Sequence, residues 1–224
     1  MNPGSTSFVL GYHGCDRKVA ERVLSGRQSL QPSVNDYDWL GDGIYFWEHN
    51  ARRAYEFAID VRDQPRHRGQ KIKDAAVVGA IIDLGFCLNL LDSHFIGLVR
   101  HAYDGLAKLS EEAGTPMPRN SLGRDLLLRK LDCAVIRFLH ATREDEQEEP
   151  FDTVRAVFLE GGTLYEKTQD LQRRTTFSSA FATFPPSRDI SGRLTRTASR
   201  RRSRDRGCRC GQASAVVDRT AFAE

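Results

Sequence analysis

The run Ala75–Leu84 (AAVVGAIIDL) constrains the fold more than any other segment of the chain. It is apolar apart from Asp83 and rich in β-branched residues, so it reads as a strand buried on both faces. It is too short to span a bilayer, and no stretch of eighteen or more apolar residues occurs in the sequence. A strand of this kind needs packed layers on either side, and the remaining segments have to supply them.

Phe8-Val-Leu-Gly-Tyr12 has strand composition, and Asp16 offers an N-cap to a helix over Arg17–Leu24 that Gly26 stops. Trp39–Trp47 (WLGDGIYFW) reads as a glycine turn followed by a strand. Asn50 can cap a helix in which Ala51, Ala54, Tyr55, Ala58 and Ile59 share one face. Residues 62–73 are polar and basic, which predicts a surface loop. Ser93–Ala113 has helical periodicity and ends before Gly114-Thr-Pro-Met-Pro118. Leu122–Leu131 reads as a further helix, Cys133–Leu139 as a strand, the acidic run Arg143–Glu149 as a solvated loop, and Thr153–Leu159 as a last strand. The expected class is α+β, with helices over a mixed or antiparallel sheet.

Hydrophobic residues make up 40% of the 224 positions, enough for one core of ordinary size. The net charge of +3 is unevenly placed: from Gln172 onward twelve Arg, no Lys and four acids leave +8, so residues 1–171 carry −5. The five Cys include no C-x-x-C pair and are odd in number, which points to free thiols in a reducing compartment. The first residues lack the charged-then-apolar plan of a signal peptide, so a soluble cytoplasmic protein is expected. His49, His67, His94, His101 and His140 show no metal-ligand spacing, and no metal is expected. Gly41-Asp-Gly43 precedes a strand and is followed by no Gly-Lys pair, which excludes a Rossmann or P-loop reading.

Three features fall at strand ends or turns, where ligand sites gather: Tyr12-His13-Gly14, Gly41-Asp42-Gly43-Ile44-Tyr45-Phe46, and a glutamate near the last strand. Taken singly, each has a plain structural explanation as a hydrogen-bonded imidazole, core aromatics, a turn aspartate or a solvated acid. Taken together, over roughly residues 7–171, they resemble the diphtheria-toxin-like and poly(ADP-ribose)-polymerase-like ADP-ribosyltransferases. The phrase LGDGIYFWE is similar to a bacterial and phage group of that superfamily.

The resemblance implies a split β-sheet core with flanking helices and transfer of ADP-ribose from NAD, as substrate, to a macromolecular acceptor, protein or nucleic acid. Toxin, defence and phage–host roles are all consistent with it. By this resemblance His13 hydrogen-bonds the adenine-side ribose, the Gly14 backbone holds the nicotinamide carboxamide, and Gly43 belongs to the cofactor-binding set. Tyr45 stacks on the nicotinamide ring, with Tyr12 or Tyr55 as second walls. A carboxylate, Glu160 or Glu166, binds the nicotinamide ribose and favours positive charge at the anomeric carbon. Such a site needs positioning and charge support more than strong acid–base chemistry, because nicotinamide is already a good leaving group.

The same resemblance leads one to expect a final strand reading like EKTHIQICVR after Glu166, and no such string follows. Codons can be chosen for Gln172–Gly192 so that a displaced frame of the same nucleotides spells EKNHIQLCVRDLPSVKGYFR. The expectation is therefore a domain over residues 1–171 that lacks its C-terminal strand, and an Arg/Ser-rich disordered tail over 172–224 arising from a frameshift near Leu171. Two further readings stay open: a catalytically dead NAD-binding or protein-interaction module of the same fold, and RNA binding through the arginine tail.

Overall fold

The computed structural model describes residues 8–63, 72–121, 128–163 and 172–183. Within them the chain is α+β, in the order β1 (Phe8–Asp16), α1 (Arg17–Leu24), β2 (Ile44–Glu48), α2 (Ala51–Asp63), β3 (Ala75–Asp83), β4 (Cys87–Asn89), α3 (Ser93–Glu112), α4 (Lys130–Asp145), β5 (Thr153–Thr163) and β6 (Gln172–Thr183). The strands form one sheet in the order β3-β1-β2-β6-β5-β4, with every neighbouring pair antiparallel except β4 and β5.

Local chemistry sets the helix starts. The Asp16 carboxylate accepts from the Lys18 amide and caps α1; its other oxygen takes the Lys73 and Asp74 amides at the entry to β3. One side chain thus fixes both the strand-to-helix corner and the return of the chain. Asn50 accepts from the Arg53 amide at the start of α2, and Asp92 from the His94 amide at the start of α3. Gly26, at φ +69, ends the first helix as its position predicts.

The pleat sorts side chains onto two faces. Tyr12, Gly14, Tyr45, Trp47, Val154 and Ala156 lie on the face that receives α2, α3 and α4. Ala58 and Val61 of α2 pack with Ala75, and Ala102, Val135, Ile136 and Leu139 pack with Leu88, Phe151, Val154 and Ala156. The opposite face carries Val9, His13, Cys15, Phe46 and Val78, where α1 seats Ala20 against Cys15 and Val78.

Four expectations change. Cys133–Leu139 is part of helix α4, not a strand: Cys133, Ile136 and Leu139 recur at helical spacing and are all buried, so tertiary packing overrides the local β-branched composition. The helix also takes in Arg143–Asp145 of the acidic run. The sheet does not end at residue 171, because Gln172–Thr183 forms β6 between β2 and β5, and the position expected to be empty is occupied by residues this chain has. β3 is an edge strand with Ile81 58% exposed, so it is not buried along its length. Most of the helix expected over 122–131 lies outside the described residues, and its last two residues open α4. Of the loop expected over 62–73, Arg62 and Asp63 belong to α2 and residues 64–71 lie outside the described residues, as does the tail beyond residue 183. Among the described residues no helix is long and apolar enough to cross a membrane.

Packing in the α3–α4 layer makes one solution property predictable. His140 meets Phe151 edge-on at 5.8 Å, and burial, aided by Arg143, lowers its imidazole to about 4. The unfolded chain takes up this proton near its ordinary value of 6.5. The stability that the neutral ring contributes is therefore present above pH 6.5 and is lost as pH falls from there toward about 4. His140→Leu is expected to flatten that part of the stability–pH curve in urea melts; an unchanged slope would assign the acid sensitivity elsewhere.

Candidate functional site

β1 and β2 are neighbours, yet their ladder comprises only Gly11↔Glu48 and Tyr12↔Trp47. Both strands continue past it, β1 through His13, Gly14, Cys15 and Asp16, and β2 back through Phe46, Tyr45 and Ile44. What spans them here is a side chain: His13 Nδ1 lies 2.8 Å from the Tyr45 carbonyl oxygen. A carbonyl accepts only, so Nδ1 carries the proton and donates, which leaves Nε2 as an acceptor. Burial lowers the His13 pKa, and the bond to Tyr45 opposes that shift without cancelling it. The ring is neutral at pH 7.

The backbone direction follows from one further bond. The Leu10 carbonyl accepts from His49 on the β2 side, so Tyr12 and Gly14, two and four residues on, also direct their N–H and C=O toward β2. At Gly14 these groups face the stretch where the β1–β2 ladder has stopped. Gly14 is glycine for a packing reason: a Cβ there would lie 2.1 Å from the Ala54 carbonyl oxygen and 3.2 Å from Ala58 Cβ, so α2 presses directly on the strand.

The expected partnership of the imidazole at 13 and the phenol at 45 is corrected by the register. One step beyond Tyr12↔Trp47, His13 stands opposite Phe46, and the two rings are 5.8 Å apart. Tyr45 is the next residue along and turns to the other face, where it packs with the α3–α4 core. Its hydroxyl donates to the Gly41 carbonyl at 2.7 Å and accepts from the Leu40 amide at 3.1 Å, and burial raises its pKa far above the usual phenol value. Tyr45 therefore closes the 40–45 turn, and its carbonyl, not its ring, serves the imidazole. The two rings cannot flank one ligand from the same side of the sheet.

The remaining expected site residues are spread along the sheet. Tyr12 lies under β3, 3.3 Å from where a Cβ on Gly79 would sit. Tyr55 is half-buried on α2 beside the Ala58–Val61–Ala75 cluster. Gly43 forms a two-way bridge with Ser33, N–H to carbonyl at 2.9 Å and 2.7 Å, that shapes the loop entering β2. Glu160 is in β5, opposite Arg174 of β6 and between two register shifts, with β6 and β2 separating its strand from β1. Glu166 lies outside the described residues. No group of His, Cys, Asp and Glu suited to a metal ion occurs among the described residues.

Two arrangements near the site have no local sequence signal. Glu48 is 7% exposed and its carboxylate takes both Nε and Nη2 of Arg155, each at 2.8 Å, on the imidazole face of the sheet. Arg137 of α4 pairs with Asp42 and donates to the Val34 and Asn35 carbonyls, clamping the loop that enters β2. Ser33 and Asn35 are tied to Asp38 within the same loop. Partners separated by about a hundred residues, such as Arg137 with Asp42, leave no trace in spacing; only the fold reveals them.

Among curated proteins, the chain is similar to one described as "Uncharacterized protein MJ0359" of Methanocaldococcus jannaschii, with 26% identity over 170 residues, 74% of this chain and 72% of that protein. No family model matches the chain. No solved structure gives a significant match.

Proposed function

We propose that the chain is an ADP-ribosyltransferase-type domain that binds NAD in the opening between β1 and β2 and transfers ADP-ribose to a macromolecular acceptor. One observation carries the proposal: the Gly14 main chain faces a place where its ladder has ended, beside a neutral imidazole whose Nδ1 is held by Tyr45 and whose Nε2 is an acceptor. A primary carboxamide has an acceptor and two donors in one plane, and it can pair with the N–H and C=O of a strand as a neighbouring strand does. Nicotinamide would take that position. His13 Nε2 would accept from a ribose hydroxyl, with Nδ1 held by Tyr45 so that the ring cannot turn away.

In this scheme Tyr45 shapes the opening through its main chain and through the 40–45 turn, and Tyr55 would be a wall only as the neighbour of Ala54, whose carbonyl meets Gly14. Support for positive charge at the anomeric carbon falls to Glu160 or Glu166. A second reading is favoured by a specific observation: the described carboxylate on the imidazole face, Glu48, is engaged on both oxygens by Arg155. A domain that binds NAD without cleaving it is consistent with that arrangement.

Nicotinamide release separates the two. The full chain incubated with NAD is expected to release nicotinamide, and His13→Ala is expected to reduce kcat/KM at least tenfold, about 1.4 kcal/mol, with folding unchanged by circular dichroism. Saturable NAD binding without release, still weakened by His13→Ala, supports the binding module. Absence of both binding and release contradicts the proposal.

A further inference from the structure

Edge strands in soluble proteins are commonly short or carry charges that block further pairing. At one edge of this sheet β4 follows that rule, with only Cys87–Asn89. At the other, β3 runs nine residues, Ala75–Asp83, with no Pro or Lys and its sole charge at the end. The odd-numbered residues of β1 bond toward β3, so Ala76, Val78, Ala80 and Ile82 bond back toward β1. The N–H and C=O of Ala75, Val77, Gly79, Ile81 and Asp83 then point outward, and no described residue bonds to them. Beside this row the sheet shows apolar surface: Ile81 is 58% exposed, its cross-strand partner Leu10 43%, and Phe8 65%.

We propose that β3 is a homodimer interface, in which a second copy of this chain adds its own β3 antiparallel about a two-fold axis at Gly79. The strand is self-complementary in that register. Gly79 meets Gly79, Val78 meets Ala80, Ala76 meets Ile82, and Val77 meets Ile81 on the α2 face, a β-branched pair that covers the exposed hydrophobic residue of the strand. Asp83 at the end of one strand falls opposite Ala75 and diagonal to the exposed Lys73 of the partner, while the intervening Asp74 is paired with Arg17. The helices do not obstruct the pairing. α2 meets the sheet at Gly14 and Ala75, toward the N-terminal end of β3, so a two-fold at Gly79 carries its copy to the opposite end of the paired strands.

The interface is tested on the full chain by sedimentation and by amide hydrogen exchange. The 25.3 kDa chain is expected to sediment at twice its mass at micromolar concentration and at its own mass on dilution. The outward amides of Val77, Gly79 and Ile81 are expected to be protected in the dimer and to exchange freely on dilution. Those of Val78 and Ala80 stay protected throughout. Ile81→Lys, a change at an exposed position, is expected to leave circular dichroism unchanged and to abolish the dimer. A wild-type chain that stays monomeric, or a dimer whose outward amides exchange freely, overturns the proposal; the dilution comparison decides it even where the variant folds poorly.

Discussion

Gly14→Ala is expected to cost about 3 kcal/mol of stability or more, a large share of the 5–15 kcal/mol that holds an ordinary domain together. The added methyl would meet the Ala54 carbonyl oxygen at 2.1 Å and the Ala54 carbonyl carbon at 3.1 Å. Both belong to helix backbone and cannot rotate aside. Relief requires α2 to lift from β1, which also disturbs the contacts of Ala58 and Val61 with Ala75. Urea denaturation checks this, with Gly97→Ala as the control. Gly97 lies within α3, and a Cβ there meets nothing within 4 Å. That change is expected to stabilise by up to about 1 kcal/mol through helix propensity. Equal effects of the two substitutions would mean that α2 does not press on β1 as described.

Glu48→Gln is expected to destabilise the protein by about 3 kcal/mol, because it leaves a largely desolvated guanidinium facing a neutral amide. Glu48 and Arg155 reach across β6 to join β2 to β5, and their two bonds of 2.8 Å are a polar tie between the halves of the sheet on that face. The Arg155 side chain is 28% exposed against 6% for Glu48, so Arg155→Met should cost less than Glu48→Gln. The double change Glu48→Leu with Arg155→Met is expected to recover much of the loss, since neither charge then remains unpaired. Thermal or urea melts of the three variants give the comparison. Single variants that cost under about 1 kcal/mol would show that the pair behaves as a surface contact.

Most helices and the first strands were legible because their signals are local. Asp16 and Asn50 are the capping residues expected, α2 carries Ala54, Ala58 and Val61 at helical spacing, and α3 was legible through its periodicity, its Asp92 cap going unread. The Cys133–Leu139 segment was misread for a physical reason: Val135 and Ile136 favour strands in isolation, and only burial against Phe151 and Ala102 makes the helical period decisive. The neighbourhood of the two motifs was legible, and their orientation was not. Tyr12-His13-Gly14 and Ile44-Tyr45-Phe46 do come from adjacent strands. Which aromatic shares a face with the imidazole depends on register, and a shift of one residue exchanges Tyr45 for Phe46. β6 was missed because Gln172–Thr183 lacks period-two alternation; its place between β2 and β5 comes from pairing on both sides.

The central claim is that the Gly14 main chain takes a planar carboxamide in the opening between β1 and β2. Titrating the isotopically labelled chain with nicotinamide, and separately with NAD, tests it at one atom. The Gly14 amide resonance is expected to move in a saturable way with both ligands, and its hydrogen exchange to slow. If NAD binds elsewhere and leaves Gly14 untouched, or if neither ligand shifts it at millimolar concentration, that claim is contradicted.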